Sequence, residues 1–306
     1  CALRAVRRMT AQSFCLDIAI CFDPLSFFHI YFLQSWFRVH KVVYFNVDFS
    51  RRRFPSVFMN WIYQCVNRFA YHRCDYFLYL TIHFLKHVDP EGRYTHKALP
   101  LKQMVDIASI HRDVQRAPNA FVFAGSLGYT VEFKALFSAL TRLVNEGIIF
   151  RFDIYGSGSL LELLRAQNET LQLQRYVHIK GVVDHEILVQ SVLPAYRFGV
   201  SPYRTDRAGT HFDHMFYGTD LSSKLVEYIA AGLPIITTRL HDAFEMIETH
   251  RFGFLVNTPE EWYCAIKTLL FDGEYYEEYH MNAVRFSQRY DVERVLLPLL
   301  SKMSGS

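Results

Sequence analysis

Short apolar runs alternate with segments of helical period through most of this chain. Residues 120–124, 149–155, 177–181 and 198–201 each form such a run, with the length of a buried strand. Apolar residues at helical spacing fill the segments between them. Strands separated by helices pair in parallel, with the helices on the faces of the sheet, so this rhythm predicts βα units around a parallel sheet.

The rhythm extends in both directions along the chain. Further strands are predicted at 17–22, 42–45, 75–80, 234–238 and 253–256. Helices are predicted at 56–71, 130–145, 185–193, 222–231, 245–249 and 260–270, with another after residue 158 and one or two over 274–300. Residues 86–118 combine three prolines and a glycine with mixed charges, so we predict a linker there.

Composition supports folded domains and excludes several classes of protein. The 306 residues are 51% hydrophobic, enough for two packed cores, and a net charge of +3 argues against a protein that coats nucleic acid. No cysteine pair has the spacing of a zinc or dithiol site; the six are Cys1, Cys15, Cys21, Cys65, Cys74 and Cys264. No apolar run approaches the ~20 residues of a membrane span, and no signal peptide is evident. We therefore predict a cytoplasmic protein with free thiols.

Three turns of small residues follow predicted strands: Gly125 with Ser126, residues 156–158 and residues 201–203. Ligands of doubly wound sheets bind beyond the carboxyl ends of the strands. Glycine there lets backbone amides approach a phosphate or a sugar, but each turn alone is weak evidence because any tight βα turn could supply it. Neither glycine turn completes a dinucleotide fingerprint or a P-loop, so a nicotinamide enzyme or a nucleoside triphosphatase is not indicated.

The segment 220–238 is more specific. Ser222 or Ser223 suits the N-cap of the predicted helix, and the N-terminus of a helix favours a diphosphate. Lys224 adds a mobile charge at that end, and Glu227 shares its helix face because it lies three positions further along the chain. A carboxylate there can accept hydrogen bonds from both hydroxyls of a ribose while the lysine contacts the phosphates. From these residues alone, a solvated Lys–Glu pair on an ordinary helix is the alternative.

A resemblance to a known family adds to this interpretation. The run Ser-Ser-Lys-Leu-Val-Glu-Tyr-Ile-Ala-Ala-Gly-Leu-Pro-Ile-Ile-Thr-Thr at 222–238 resembles the donor-site signature of glycosyltransferase family 4, which has the GT-B fold. Phe-Ala-Gly-Ser-Leu at 123–127 and Ile-Tyr-Gly-Ser-Gly at 154–158 resemble its upstream motifs in order and spacing. Residues 42–50 and 74–77 resemble, more weakly, the N-terminal domain of bacterial cell-surface sugar transferases. The resemblance implies two Rossmann-like, doubly wound α/β domains that face a cleft.

The same resemblance implies roles for individual residues. Lys224 would neutralise the donor phosphates as the nucleotide departs, and Glu227 would bind the ribose. Gly125 and Ser126 would lie against the diphosphate. Tyr155 and Gly156 would border the nucleobase. The remaining donor contacts expected are Ser201, Tyr203, Ser222, Ser223 and Leu225. Transfer would proceed with retention at the anomeric carbon and would need no metal or other cofactor.

The sequence also departs from the family pattern at two positions. Ser126 stands where many relatives have an arginine, and Arg204 and Lys134 are the candidates to replace that charge. Thr219 stands where the first of two paired glutamates is expected. The adjacent Asp220 is acidic, so we predict that it contacts the donor sugar and joins Lys224 as a catalytic residue.

The resemblance further predicts the domain organisation. Residues 1–117 would form a partial acceptor-side domain with its linker, and residues 118–273 the nucleotide-sugar-binding domain. Helices over 274–306 would cross back to the N-terminal domain. Because the family's glycine-rich acceptor loop is absent and the chain opens on what looks like the middle of a domain, we expect the N-terminal domain to be incomplete.

Two further features concern partners. Basic and aromatic residues mix between Arg51 and Phe69, as they do in membrane-surface segments, so contact with the inner face of a membrane is predicted beside the alternative of a solvated helix face. His211 and His214 flank Asp213 at a spacing compatible with a metal. No third ligand is evident, so we interpret this loop as a border of the donor pocket.

The leading prediction is a retaining glycosyltransferase of cell-surface polysaccharide biosynthesis. It would move a sugar from a nucleotide-sugar donor to a glycan or lipid-linked acceptor. A nucleotide-sugar epimerase of GT-B architecture, which releases a sugar without an acceptor, is the first alternative. The second is a non-catalytic donor-binding module that depends on a partner chain or on a missing N-terminal segment.

Overall fold

The computed structural model describes residues 15–34, 38–46, 53–205, 221–240 and 244–304. They form an α/β structure with two parallel sheets, which confirms the predicted fold class. The chain divides into two compact units. Among the described residues, the first unit runs to Lys102 and resumes at Leu296, and the second runs from Gln103 to Val295. In this described part, no helix combines the length and apolar character needed to span a bilayer.

Four parallel strands form the sheet of the first unit in the order β1-β2-β3-β4, with bounds β1 Cys15–Cys21, β2 Arg38–Phe45, β3 Tyr76–Tyr79 and β4 Ala98–Pro100. The helices that connect them are α1 Pro24–Leu33, α2 Val57–Arg73 and α3 Ile82–Val88. Each connection moves one strand further in the same direction. Because parallel crossovers are right-handed, all three helices lie on the same face of this sheet.

Three elements of the first unit, α1, α3 and β4, were not predicted. Strand β4 lies within 86–118, so the prediction of a linker is wrong for those residues. Three residues are too few to show a period, and Pro100 is tolerated because an edge strand does not need every N–H. Helix α1 gives no amphipathic signal because residues 24–33 are almost all apolar. Its start is instead fixed by a capping box between Asp23 and Ser26.

Six parallel strands form the sheet of the second unit, with bounds β5 Ala120–Ala124, β6 Arg151–Tyr155, β7 Val177–Gly181, β8 Phe198–Ser201, β9 Ile235–Thr238 and β10 Gly253–Val256. Their order is β10-β9-β8-β5-β6-β7. The chain leaves β5 in one direction through β6 and β7, then returns to place β8 on the other side of β5. This reversal is a topological switch point, where doubly wound sheets bind ligands at the carboxyl ends of the strands.

The helices of the second unit lie near the predicted positions, with two corrections. The helices are α4 Lys134–Asn145, α5 Leu161–Thr170, α6 His185–Ile187, α7 Ser223–Ala230, α8 Glu245–Thr249, α9 Pro259–Phe271, α10 Gly273–Ser287 and α11 Val292–Ser304. Helix α4 begins four residues later than predicted, because Val131 pairs with Tyr203 in an antiparallel bridge. Helix α6 is one α-turn that widens into a π-turn through Val192 and ends in a 3-10 turn at Ala195. The last residues of α11, from Leu296, belong to the first unit. The predicted boundaries after residues 117 and 273 stay predictions.

Hydrophobic cores cover both faces of the six-stranded sheet. On one face the Phe121 ring stacks between Phe152 and Phe198, at centroid distances of 4.9 and 4.7 Å. On the other face α7 packs through its fully buried Tyr228. A Cβ at Gly199 would lie 2.5 Å from the Tyr228 ring, so glycine in β8 allows α7 to dock closely. This contact holds α7 against the sheet beside the switch point.

Candidate functional site

The candidate site lies where β5 and β8 end at the switch point of the second unit. Gly125 and Ser126 follow β5, and the first turn of α7 approaches the same turn. Ser126 is exposed at its tip, and among the described residues neither its N–H nor its hydroxyl has a hydrogen-bond partner. The predicted proximity of the first glycine turn and the signature helix is therefore present in the structure.

The glycines of neighbouring turns allow the turns to pack closely against each other, and their amides are not exposed to a ligand. Gly156 has a φ of +138°, and a Cβ there would lie 1.9 Å from the carbonyl oxygen of Gly125. The N–H of Gly125 donates to the Tyr155 carbonyl at 3.0 Å, and that of Gly156 to the Gly181 carbonyl at 2.8 Å. Our sequence argument that these amides approach a phosphate is therefore corrected, because neighbouring strands already accept their hydrogen bonds.

Lys224 is held by aromatic rings and is not the mobile charge we predicted. Its Nζ lies 4.4 Å from the ring centroid of Phe123 and 5.0 Å from that of Tyr203, which is cation–π geometry. A Cβ at Gly125 would lie 2.7 Å from Lys224 Cε, so glycine leaves the space for this side chain. Burial lowers the pKa of Lys224 to about 8, and the Glu227 carboxylate acts in the opposite direction. The site thus holds a partly desolvated ammonium.

Among the residues that the structure describes, nothing caps the N-terminus of α7, and we call this end open. Ser222 occupies the N-cap position as predicted, but its hydroxyl makes no capping bond and instead lies 2.6 Å from the hydroxyl of Tyr203. The Val226 N–H, which donates to the Ser222 carbonyl at 3.0 Å, makes the first bond of the helix. The N–H groups of 223–225 consequently have no acceptor within the helix. Such an end, with its partial positive charge, is suited to an anionic group.

Glu227 lies one turn along α7 from this open end. Its Oε1 is 3.1 Å from Nε2 of His185, and its carboxylate is largely buried whereas the imidazole is exposed. We did not predict His185. The signal that places it is the predicted start of a helix after β7, where Asp184 accepts the N–H of Glu186 and turns the chain. The imidazole holds one oxygen of Glu227, which fixes the orientation of the carboxylate.

Tyr155 directs its hydroxyl into the protein. That hydroxyl is 3.0 Å from the Tyr196 hydroxyl, which donates to Asp153 at 2.6 Å. Because the proton of Tyr196 is committed to the carboxylate, Tyr155 must be the donor in its own bond. Asp153 also contacts His178 at 3.0 Å and is almost completely buried. Tyr155 can therefore offer a ligand its backbone and ring, but not its hydroxyl.

Other predicted site residues are buried or lie outside the described residues. The side chains of Ser201 and Leu225 are fully buried, so neither can contact a donor except through its backbone. Asp220 lies outside the described residues, and so do Thr219, His211, Asp213 and His214. Within the described ranges, no group of three or more His, Cys, Asp or Glu side chains is arranged to hold a metal ion. The predicted residues that do come together are Gly125, Ser126, Tyr203, Ser222, Ser223, Lys224 and Glu227.

Comparison with known families identifies the chain. A family model described as Glycosyl transferases group 1 matches residues 118–272, which is half of the chain and includes all of the site above. The chain belongs to the group 1 glycosyltransferases. The predicted relationship to glycosyltransferases is thereby confirmed, whereas membership of family 4 in particular stays a prediction.

Solved structures show the fold of this group 1 glycosyltransferase to be GT-B. Anabaena HepE in complex with UDP has a TM-score of 0.71 and 16% identity, with 99% of this chain and 82% of HepE covered. Pneumococcal GtfA, an O-GlcNAc transferase in complex with UDP and GlcNAc, has a TM-score of 0.66 and 15% identity, with coverages of 98% and 59%. S. aureus TarM has a TM-score of 0.60 and 15% identity, with coverages of 94% and 55%. The chain thus spans little more than half of GtfA or TarM. A search of curated proteins found no match.

Two arginines and a histidine close the other end of α7 in this glycosyltransferase. Arg112 Nε donates to the Ala230 carbonyl at 2.7 Å, and an Arg116 nitrogen donates to the Ala231 carbonyl at 2.9 Å. Nδ1 of His280 lies 2.5 Å from the carbonyl oxygen that follows, and burial lowers the pKa of this histidine. We did not predict these residues. Both arginines fall within the predicted linker, and no local pattern links them to a helix more than 100 positions away.

Proposed function

We propose that this protein transfers a sugar from a UDP-sugar to a glycan or lipid-linked acceptor, with retention at the anomeric carbon. The observation that carries the proposal is the convergence of the Lys224 ammonium and the open N-terminus of α7 on the turn at Gly125 and Ser126. These groups form a positively charged site suited to phosphates at the edge where doubly wound sheets bind ligands. UDP is favoured as the nucleotide because similar folds, including HepE and GtfA, are solved in complex with it.

The proposed chemistry is stabilisation of the departing nucleotide. The bond between the anomeric carbon and the diphosphate breaks, and its electron pair goes to the diphosphate. The acceptor oxygen bonds to the carbon, and the proton of its hydroxyl passes to an oxygen of the departing diphosphate. Lys224 and the helix N–H groups face the negative charge that develops. With a pKa of about 8, roughly nine tenths of Lys224 carries its proton at pH 7. A fixed donor at such a place contributes about 10²–10³ in rate.

Glu227 is proposed to bind the ribose of the donor. His185 holds Oε1 at 3.1 Å, so Oε2 is the oxygen best placed to accept from a sugar hydroxyl. Asp220 is proposed to contact the donor sugar, and the reaction is proposed to need no metal. Activity that survives EDTA treatment and a product whose anomeric proton matches that of the donor by NMR would support these assignments. An inverted product would contradict retention.

The acceptor is proposed to be a component of a cell-surface polysaccharide, assembled at the cytoplasmic face of a membrane. In the first unit, Phe58 and Trp61 are 66% and 62% exposed on α2 and could contact the bilayer. Tyr63 is buried and Phe69 packs against Tyr31 at 5.0 Å, so these two aromatic residues belong to the core. Sedimentation with anionic vesicles tests the contact, with Phe58→Ser/Trp61→Ser as the variant expected to lose it.

Mass spectrometry of reaction products separates the proposal from its two alternatives. The protein is incubated with a panel of nucleotide-sugars, with and without an extract that contains acceptors. A glycan or lipid-linked product that gains one sugar supports the transferase. A sugar epimerised without acceptor would instead identify an epimerase. Nucleotide binding with no turnover, relieved by a partner chain, would identify a donor-binding module; a GtfA/B complex is among the similar structures.

Thermal stabilisation by UDP tests the site itself. UDP is expected to raise the melting temperature of the wild-type protein, and Lys224→Ala and Glu227→Ala are each expected to lose that increase. The matched control is Lys86→Ala, which removes an exposed lysine from the first unit. It is expected to keep the full increase. Unchanged stabilisation in both site variants would show that the donor pocket lies elsewhere.

A further inference from the structure

A groove of about 420 Å³ opens on the first unit, between residues 64–71 of α2 and the segment 87–94, which comprises the end of α3 and the residues that follow it. Binding pockets range from roughly 300 to 1,000 Å³, so this first-unit groove can hold a small ligand. Gln64, Asn67, Arg68 and Tyr71 form its α2 wall, at the spacing of one helix face. None of its lining residues belongs to the candidate donor site.

Tyr71 gives the first-unit groove an unsatisfied polar group. The residue is 3% exposed, and in the described structure its hydroxyl has no hydrogen-bond partner. Asn46 is the nearby amide, but it donates to Asn67 Oδ1 at 2.6 Å and to the Tyr63 hydroxyl at 3.5 Å. A buried hydroxyl without a partner destabilises a fold unless a ligand or water supplies one. Because the hydroxyl itself is shielded from solvent, an occupant with hydroxyl groups of its own would satisfy it once the Tyr71 side chain turns toward the groove.

The charges around the first-unit groove cancel. Arg68 and Arg93 line it together with Asp89 and Glu91, and Arg93 forms an ion pair with Glu91. The Asp89 carboxylate accepts two backbone N–H groups at 2.7 Å each, so it is held in the structure and not released for a ligand. Helix α3 also ends here and presents the negative end of its dipole. A phosphate or another anion therefore gains no net attraction, and a neutral ligand is favoured.

We propose that the first-unit groove binds carbohydrate, as one or a few neutral sugar units. Gln64, Arg68 and His87 are planar polar side chains that can hydrogen-bond pairs of sugar hydroxyls, and the Tyr94 ring offers an apolar surface for the C–H face of a sugar. The glycan would be the acceptor, held at a second place on the protein while one end reacts. Its identity as acceptor rests on the proposed function, whereas sugar binding by the groove does not.

Calorimetry and saturation-transfer NMR with neutral hexasaccharides test this site. The probes are hexamers of α-1,4-glucose, β-1,3-glucose, β-1,4-glucose and β-1,4-N-acetylglucosamine. At least one is expected to bind. Tyr71→Phe is expected to weaken its binding about three- to tenfold, the loss of one hydrogen bond. The same variant should melt at the same temperature as the wild type or higher, because it removes a hydroxyl that has no partner.

Two further variants separate an effect on sugar binding from an effect on folding. Arg68→Ala changes an exposed position in the groove and is expected to weaken the hexasaccharide as well. Tyr275→Phe removes a hydroxyl from an exposed position on α10 and is expected to leave binding unchanged. Equal affinity in Tyr71→Phe, Arg68→Ala and the wild type would overturn the proposal. Displacement of the sugar by inorganic phosphate would also overturn it, because the groove would then be an anion site.

UDP binding, measured on the same samples, separates this inference from the proposed function. Wild-type protein that binds UDP but none of the hexasaccharides would overturn the first-unit groove as a sugar site and leave the donor site intact. Protein that binds a hexasaccharide but not UDP would overturn the donor site alone. UDP affinity is expected to be the same in Tyr71→Phe as in the wild type.

Discussion

The two ends of α7 differ in how their backbone groups are satisfied. At the N-terminal end, the N–H groups of 223–225 have no acceptor within the helix, and the Ser222 hydroxyl is turned to Tyr203. At the C-terminal end, Arg112, Arg116 and His280 meet successive carbonyls. We call these the open end and the closed end. Within the described residues, N–H donors are left without an acceptor at one end of the helix, and two arginines and a histidine are fixed at the other.

This difference indicates that one end of α7 binds a ligand and the other end stabilises the helix. A ligand-binding end needs unsatisfied donors, which on their own would let the helix fray or shift. The closed end supplies bonds from charged groups, which are stronger than neutral ones and complement the negative end of the dipole. The closed end can therefore hold the helix in place while no anion is bound at the open end. Changes at the closed end should then alter stability, and changes at the open end should alter binding and catalysis.

Gly232→Ala is expected to have the largest effect, a loss of about 3 kcal/mol in the free energy of unfolding. Gly232 has a φ of +75°, and a Cβ would lie 2.8 Å from His280 Cε1 and 2.9 Å from an Arg116 nitrogen. Gly147→Ala is the matched control, since Gly147 has the same φ of +75° with nothing within 4 Å of the added Cβ. It should lose only about 1 kcal/mol, the strain alone. Urea denaturation measures both, and equal losses would show that the contacts at the closed end contribute nothing.

Lys224→Met is expected to lower kcat/KM about 100-fold with little change in stability. Methionine keeps much of the apolar packing against Phe123 and removes the charge that faces the departing diphosphate. Steady-state kinetics with the active UDP-sugar, paired with a urea curve, measures both properties. A decrease in stability with unchanged kcat/KM would reverse the roles that we assign to the two ends.

Arg116→Met is expected to lower the free energy of unfolding by about 2 kcal/mol while the affinity for UDP stays within twofold. It removes hydrogen bonds to the carbonyls of Tyr196 and Ala231 and keeps an apolar stem of similar length. Arg285→Met, at an exposed position of α10, is the control for loss of a surface arginine. A tenfold loss of UDP affinity in Arg116→Met would mean that the closed end acts on the site directly.

The pH dependence of UDP binding reports on Lys224. UDP prefers the charged ammonium, so its affinity should be steady near pH 7 and should fall above pH 8, approaching tenfold per pH unit. The stability of the ligand-free protein should change in the opposite sense. Because the folded pKa of about 8 lies below the ordinary 10.5, the unfolded chain binds the extra proton between these values, and stability rises with pH through that window. Lys224→Met should remove both effects; calorimetry and denaturation as functions of pH measure them.

His185→Ala is expected to have the smallest effect, a rise in the KM for the UDP-sugar of about threefold at unchanged kcat. The substitution frees Oε1 of Glu227 without moving the helix that carries it. His185→Gln, which can still donate a hydrogen bond, should restore most of the loss. A fall in kcat with unchanged KM would instead place His185 among the reacting groups.

Much of the second unit was predictable from local pattern. The bounds of β5, β7, β8, β10 and α8 match the prediction, because each apolar run ends at a glycine or a polar turn that interrupts its period. The almost entirely apolar α1 and the three-residue β4 were missed because neither has a period to detect. Within the site, Lys224 and Glu227 were identified from their spacing on one helix. The residues that contact them from other parts of the chain were not identified.

The sequence by itself determined the α/β class, the parallel sheets, the signature helix and the residues that the helix carries at its open end. The tertiary structure decided what those residues do: it placed Lys224 between two aromatic rings, turned the Tyr155 hydroxyl inward and brought Arg112 and His280 to the closed end. The reason is physical. Period and capping act over a few neighbouring residues, whereas the direction of a side chain, its burial and its pKa depend on elements that pack against it from distant parts of the chain.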